Sequence, residues 1–148
     1  MAERRTAEQR KIDTLAKLGE HGADVWVASS SESGTPYLVP LSFAWVEGEV
    51  IIALERTSRT ARNIEDAVDV RLGFGPTRDV VMIDAYHDET EDVDSSTWAD
   101  AYAAQADWDP RGIAGMVFMR LRPKRIQAWR ESNELQGRTL MTNGHWDI

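Results

Sequence analysis

The sequence predicts a mainly β domain, with six or so short antiparallel strands closing a small barrel and a few helices at its periphery. Three observations predict it. Short runs of β-forming residues recur at tight spacing, beginning with Asp24-Val25-Trp26-Val27-Ala28-Ser29-Ser30. Compact turns join them, Ser31-Glu32-Ser33-Gly34 and then Glu47-Gly48, as in a meander of hairpins. Residues 35–45 alternate, placing Tyr37, Val39, Leu41, Phe43 and Trp45 on one face, the period of a strand with one buried side.

In chain order, residues 7–18 read as an amphipathic helix with Ile12, Leu15 and Leu18 as its apolar stripe and Gly19 or Gly22 as its end. Strands follow over residues 24–30, 35–45 and 49–54. Pro40 cannot donate a ladder hydrogen bond, so it marks an edge, a bulge or an interruption in the second strand. A helix begins at about Ala61 and runs to about Ala67. Further strands are expected at 70–75 and 78–86, then a loop over the acidic stretch that ends at Asp94. Residues 95–106 read as a helix capped by Ser95 or Ser96, Asp109-Pro110 breaks the chain, and Pro123 divides two last strands, 115–121 and 124–129.

Composition narrows the function. The 148 residues fit one domain, 1–148, and the 42% hydrophobic and 28% charged fractions are those of a folded chain. A net charge of -8 argues against a general nucleic-acid binder, and no apolar stretch approaches a membrane span. The N-terminus lacks the apolar core of a secretory signal, and the absence of cysteine rules out disulfides and thiolate sites. A cytoplasmic protein with no nucleic-acid or membrane partner is expected. Arginine outnumbers lysine fourteen to three, and eight arginines fall between Arg56 and Arg122, a clustering compatible with an anionic ligand.

The sharpest local signal is Thr57-Ser58-Arg59-Thr60-Ala61-Arg62-Asn63, where an apolar strand hands over to a helix. Free N–H groups and the positive end of the helix dipole make such a junction an anion site, and two arginines there suit a phosphate. The same residues also suit an ordinary helix start, with Ser58 or Thr60 as N-cap and no ligand. His21, His87 and His145 share no metal-ligand spacing, so no metal site is expected. Neither a G-x-S-x-G elbow nor a Walker A loop occurs. Of the six tryptophans, Trp26 and Trp45 suit buried barrel positions, and Trp98 and Trp108 suit packing of the later helix. Trp129, with Arg125, Arg130 and Arg138 near it in sequence, suits either core packing or the border of a flat heteroaromatic ligand.

These pieces together resemble the pyridoxamine 5'-phosphate oxidase-like flavin-binding split barrels, which include the flavin/deazaflavin oxidoreductases. The resemblance rests on Trp26-Val27-Ala28-Ser29, on residues 34–41, on Thr57 to Asn63, on Gly75-Pro76-Thr77-Arg78-Asp79, and on residues 123–129 with Arg138. It implies a six-stranded antiparallel FMN-binding split barrel and a homodimer with the cofactor in a groove at the interface. It places the phosphate on Ser58, Arg59 and Thr60, with Arg62 nearby. Val39, Pro40, Leu41 and Ser42, with Ala53 and Leu54, would border the isoalloxazine ring. Trp129 and Arg138 would approach from the partner subunit, and Arg78 would reach the ring edge or ribityl chain. Two departures stand out: Thr60 replaces the family's phosphate-binding lysine, and Asn133-Glu134-Leu135-Gln136-Gly137-Arg138 replaces the oxidase's substrate-binding run, which argues against pyridoxine 5'-phosphate oxidation.

The reading that follows is an FMN-dependent oxidoreductase acting on a small-molecule redox substrate. The alternatives are a reductase using the deazaflavin coenzyme F-420, or a non-catalytic flavin- or heme-binding protein. No side chain is assigned as catalytic, because the cofactor carries the chemistry.

Overall fold

The computed structural model describes residues 2–148. Helix α1 (Ala7–Leu18) precedes strands β1 (Asp24–Ser30), β2 (Pro36–Val46) and β3 (Glu49–Glu55); helix α2 (Arg59–Ala67) leads to β4 (Asp69–Phe74) and β5 (Val80–Asp92); helix α3 (Ala99–Ala106) leads to β6 (Met116–Trp129). The sheet runs β3-β2-β1-β4-β5-β6, every pairing is antiparallel, and β3 pairs back onto β6. The six strands therefore close a barrel, as the sequence predicts. A terminal hairpin, β7 (Thr139–Thr142) and β8 (His145–Trp146), extends β6 beyond it. Among the described residues, no helix is long and apolar enough to cross a membrane.

Strand alternation fills the barrel. Val25 and Val27, Val50, Ile52 and Leu54, Val70 and Leu72, Val81 and Ile83, and Val117, Met119 and Leu121 all point inward, and Phe43 meets Phe74 edge-on at 5.0 Å. β3 is apolar on both faces because α3 covers its outer side: Ile51, Ala53 and Phe118 pack there against Ala99, Tyr102 and Ala106.

Four expectations are corrected. β5 does not stop at Tyr86; it carries the acidic stretch to Asp92, because arginines on β6 stand opposite its carboxylates. Asp84 accepts from Arg125 at 2.7 Å, and Asp88 accepts from Arg120 at 2.9 Å and pairs with Arg122. β6 is one strand through Pro123, which lies between the stretch paired to β3 and the stretch paired to β7, where the β5 register also shifts. α3 starts at Ala99 without a side-chain cap; Ser96 Oγ instead accepts from the Trp98 N–H and donates to Glu91. α1 buries Arg10, Thr14 and Leu18, while Ile12 is 61% exposed.

The α1 face is polar because it docks onto the C-terminal segment through charge. Arg10 donates to the Gly137 carbonyl at 2.8 Å. Arg5 grips the buried Glu134 carboxylate at 2.7 and 3.0 Å, and Lys17 pairs with Asp79 at 2.8 Å.

Candidate functional site

The barrel is split along one seam. β2 pairs with β3 only from Phe43↔Ile52 to Val46↔Glu49, whereas β1 holds β2 along residues 36–42. Beyond Phe43 the two strands part. None of the residues from Pro36 to Ser42 is buried, although most are apolar. Pro40 belongs to this half, which has a strand on one side only, so its missing N–H leaves no gap in a two-sided ladder.

The groove opened by that seam encloses about 460 Å³. Val39, Pro40, Leu41 and Ser42 form one wall, Ala53 and Leu54 the other, and Ser58, Arg59 and Thr60 close one end. Nine of the thirteen residues named from the sequence thus meet in one place. Tyr37, Glu55, Trp108 and Met116 complete the lining and were not named. Trp108 follows α3, packs edge-on against Tyr102 of that helix at 6.4 Å as expected, and is also 39% exposed in the groove; the αL turn at Asp107 directs the chain there, which no periodicity signals. Beneath the groove, Tyr102 is fully buried; its hydroxyl lies beside Ser42 and Ala53 without a well-aligned hydrogen bond, and burial pushes its pKa up.

The closed end is built by the start of α2. Ser58, not Thr60, is the N-cap: its Oγ accepts from the Ala61 N–H at 3.2 Å and its carbonyl from the Arg62 N–H at 3.1 Å. The N–H groups of Arg59 and Thr60 have no acceptor among the described residues. Replacing Ser58 by alanine is expected to lower stability by about 1 kcal/mol, the usual cost of a lost cap, read as a shift in the denaturant midpoint at constant m-value.

Arg59 differs from the neighbouring arginines in its partners. Between residues 56 and 122, Arg56 pairs with Glu65, Arg71 with Asp84, Arg78 with Glu131, Arg111 with Asp100 and Asp109, and Arg120 and Arg122 with Glu49 and Asp88. Most of the arginine clustering therefore serves cross-strand and turn pairs rather than a ligand. Among the described residues Arg62 has no carboxylate partner; it donates to the Thr57 carbonyl at 2.8 Å. Arg59 is exposed and has neither an ion pair nor a side-chain hydrogen bond among the described residues. Thr60 is 4% exposed, a position where an ammonium group would require a partner, so the free charge stands one residue earlier.

The remaining named residues lie elsewhere on the same chain. Arg138 stacks over the Trp129 ring at 5.2 Å, and Arg78 reaches Glu131. Trp129 lines a second hollow of about 510 Å³ with Trp26, Leu38, Gly73 and Met82, outside the barrel. Trp26 was expected inside but is 52% exposed in this hollow, since Val25 and Val27 take the inward positions of β1. Leu38 on β2 faces this hollow, while Tyr37 and Val39 face the seam, so β2 divides the two. A third hollow, about 530 Å³, is occupied by its own ion pairs, Arg71 and Arg125 with Asp84 and Lys124 with Asp69.

In sequence, no family model and no curated protein matches the chain. In structure it is similar to several solved proteins. An F420 reductase superposes with a TM-score of 0.64 at 16% identity, over 75% of this chain and 94% of that one. A heme binding protein from Mycobacterium smegmatis gives 0.68 at 15% identity, over 97% and 60% of the two chains. HutZ, a heme storage protein from Vibrio cholerae, gives 0.63 at 15% identity, over 77% and 91%. The fold is thus the split barrel that these proteins share.

Proposed function

We propose that the seam between β2 and β3 binds an isoalloxazine cofactor with a phosphorylated side chain, FMN or the deazaflavin coenzyme F-420, and that the protein is an oxidoreductase of the pyridoxamine 5'-phosphate oxidase-like family. The observation that carries this reading is a single groove with apolar walls that ends on Arg59 and the open N–H groups of α2. Its volume lies within the range of cofactor pockets. The structural likeness to an F420 reductase supports it.

When bound, the cofactor supplies hydride or electron transfer to a small-molecule partner. The chain's own residues hold and shield it. Val39, Pro40 and Leu41 on one side and Ala53 and Leu54 on the other exclude water from the ring. Arg59 and the Arg59 and Thr60 amides hold the phosphate, and Arg62, tied to Thr57, steadies the turn that presents them.

A homodimer belongs to this proposal. Trp129, Arg138 and Arg78 lie outside the groove of their own chain, and an uncharged strand half, residues 36–42, is left uncovered beside it. A second copy that covers β2 brings its own Trp129 and Arg138 toward the ring. Light scattering is expected to give the mass of two chains; a monomer in the presence of saturating cofactor contradicts the two-chain site.

The alternative is a non-catalytic heme binder, which the heme-named neighbours favour. The groove offers no histidine, so Tyr37 or Met116 would have to be the iron ligand. The visible spectrum of the purified protein, followed by titration with FMN and with heme, separates the readings. Flavin-type bands or saturable quenching of FMN fluorescence are expected; a Soret band with no response to FMN overturns the isoalloxazine reading.

A further inference from the structure

We infer that Tyr102 is a positioning residue for the cofactor: its buried hydroxyl aims Ser42, and the Ser42 hydroxyl donates to the acceptor edge of the isoalloxazine ring at the point where the seam begins. The inference rests on the isoalloxazine reading of the seam and adds to it a group that favours the reduced ring.

The seam begins at one residue pair. Phe43↔Ile52 is the last rung of the β2–β3 ladder, so Ser42 and Ala53 are the first residues to face each other across the gap. Strand alternation puts both side chains on the outer face of the barrel. Ala44, two residues from Ser42 on that face, packs under α3, and so do Ile51 and Ala53. Tyr102 is the α3 residue at the centre of this packing, with its ring 4.9 Å from Phe118 and 6.4 Å from Trp108. Its hydroxyl therefore ends where the two strands part, beside Ser42 and Ala53.

That hydroxyl is unpaired. Tyr102 is 0% exposed, and its oxygen has no hydrogen-bond partner among the described residues. Burying a phenol in this way is unfavourable, and phenylalanine would fill the same space without the penalty. Burial keeps the hydroxyl protonated, so it serves as a donor. Ser42 offers it an acceptor. The Ser42 side chain is half-buried, lines the groove and makes no hydrogen bond among the described residues. A serine that accepts from Tyr102 keeps its own proton to give, and its open side is the groove.

The order of groups along the seam decides which part of the ligand meets Ser42. Ser42 and Ala53 stand at the start, Leu41 and Leu54 follow, and Arg59 with the α2 amides closes the far end. A ligand with its phosphate on Arg59 and its ring between the leucines turns its remaining edge to Ser42. The polar edge of an isoalloxazine carries carbonyl oxygens and gains negative charge on reduction. A donor at that edge holds the reduced ring more tightly than the oxidised one.

The test is the midpoint potential of the bound cofactor, FMN or coenzyme F-420, whichever binds tighter. It is measured in the wild type, Tyr102→Phe, Ser42→Ala, Ser42→Thr and the Tyr102→Phe/Ser42→Ala double variant, together with the melting temperature of each unliganded chain. Tyr102→Phe keeps the ring against Phe118 and Trp108 and removes an unpartnered hydroxyl, so it is expected to melt at or above the wild type. It should nonetheless lower the preference for reduced over oxidised cofactor about 10-fold, a fall of about 30 mV for a two-electron couple. Ser42→Ala should give the same fall, and the double variant no further one. Ser42→Thr, which keeps the hydroxyl, should hold the wild-type potential. An unchanged potential in Tyr102→Phe, or falls that add in the double variant, would refute the role of Tyr102 while the seam reading stands. If neither cofactor binds the wild type, the seam reading fails and this inference with it.

Discussion

Replacing Glu134 by glutamine should lower stability by about 3 kcal/mol, the cost of breaking a buried ion pair, and the melting temperature by roughly 10 °C for a chain of this size. Glu134 is 1% exposed and is the hub that ties the two ends of the chain together. It accepts from the Arg5 N–H at 2.9 Å, from the Arg5 guanidinium at 2.7 and 3.0 Å, and from the Arg130 N–H at 2.9 Å. The Arg5 side chain is itself 8% exposed, so the neutral amide leaves a guanidinium without its main counter-charge. Those contacts, led by the Arg5 side-chain hydrogen bonds, hold the Glu134 pKa at about 2, down from 4.5.

The direction of the pH dependence follows. A carboxylate whose pKa is depressed on folding contributes stability that is fully present above pH 4.5 and is lost as the pH falls through about 2. The gap in unfolding free energy between wild type and Glu134→Gln should therefore be constant near neutrality and narrow between pH 4.5 and about 2. Chemical denaturation at a series of pH values reads it. A gap that does not depend on pH would mean that the residue acts through packing alone.

The second large effect is on ligand affinity. Arg59→Ala should weaken FMN binding about 100-fold, a charge-assisted contact of 2–3 kcal/mol, with riboflavin binding and thermal stability unchanged. Arg62→Ala should weaken it about threefold, through loss of the Thr57 contact only. The difference arises because Arg62 is already engaged and Arg59 is not. Equal effects of the two substitutions, or an equal loss for riboflavin, would remove the phosphate role assigned to Arg59.

Local signals in the sequence carry the fold well where one face is buried. The bounds of α1 and β1 agree with the residue pattern, and the continuous apolar run of β3 marks a strand covered on both faces. The reading fails where partners lie far along the chain. Nothing near residues 87–92 indicates that Arg120 and Arg122 neutralise that acidic stretch, so a strand looks like a loop. The polar face of α1 looks like solvent surface until Glu134 and Gly137 are brought against it. Trp26 looks like core because β-propensity does not tell the inner from the outer face.

The site divides in the same way. The walls and closed end of the groove come from segments near one another in sequence, residues 39–42 and 53–60, and a resemblance of motifs was enough to name them. Trp108 and Met116 enter from remote segments and carry no motif. Trp129 lines the hollow on the other side of β2 with Arg138 stacked on its ring, and Arg78 pairs with Glu131; in the proposed homodimer they would reach the groove only from the second chain.

The most direct measurement is a crystal structure of the protein grown with FMN. The ring is expected between residues 39–42 and Ala53 and Leu54, with the phosphate on Arg59 and the Arg59 and Thr60 amides and the partner's Trp129 over the ring. Flavin seated instead in the hollow of Trp26, Leu38 and Met82, with the β2–β3 seam empty, would contradict the account.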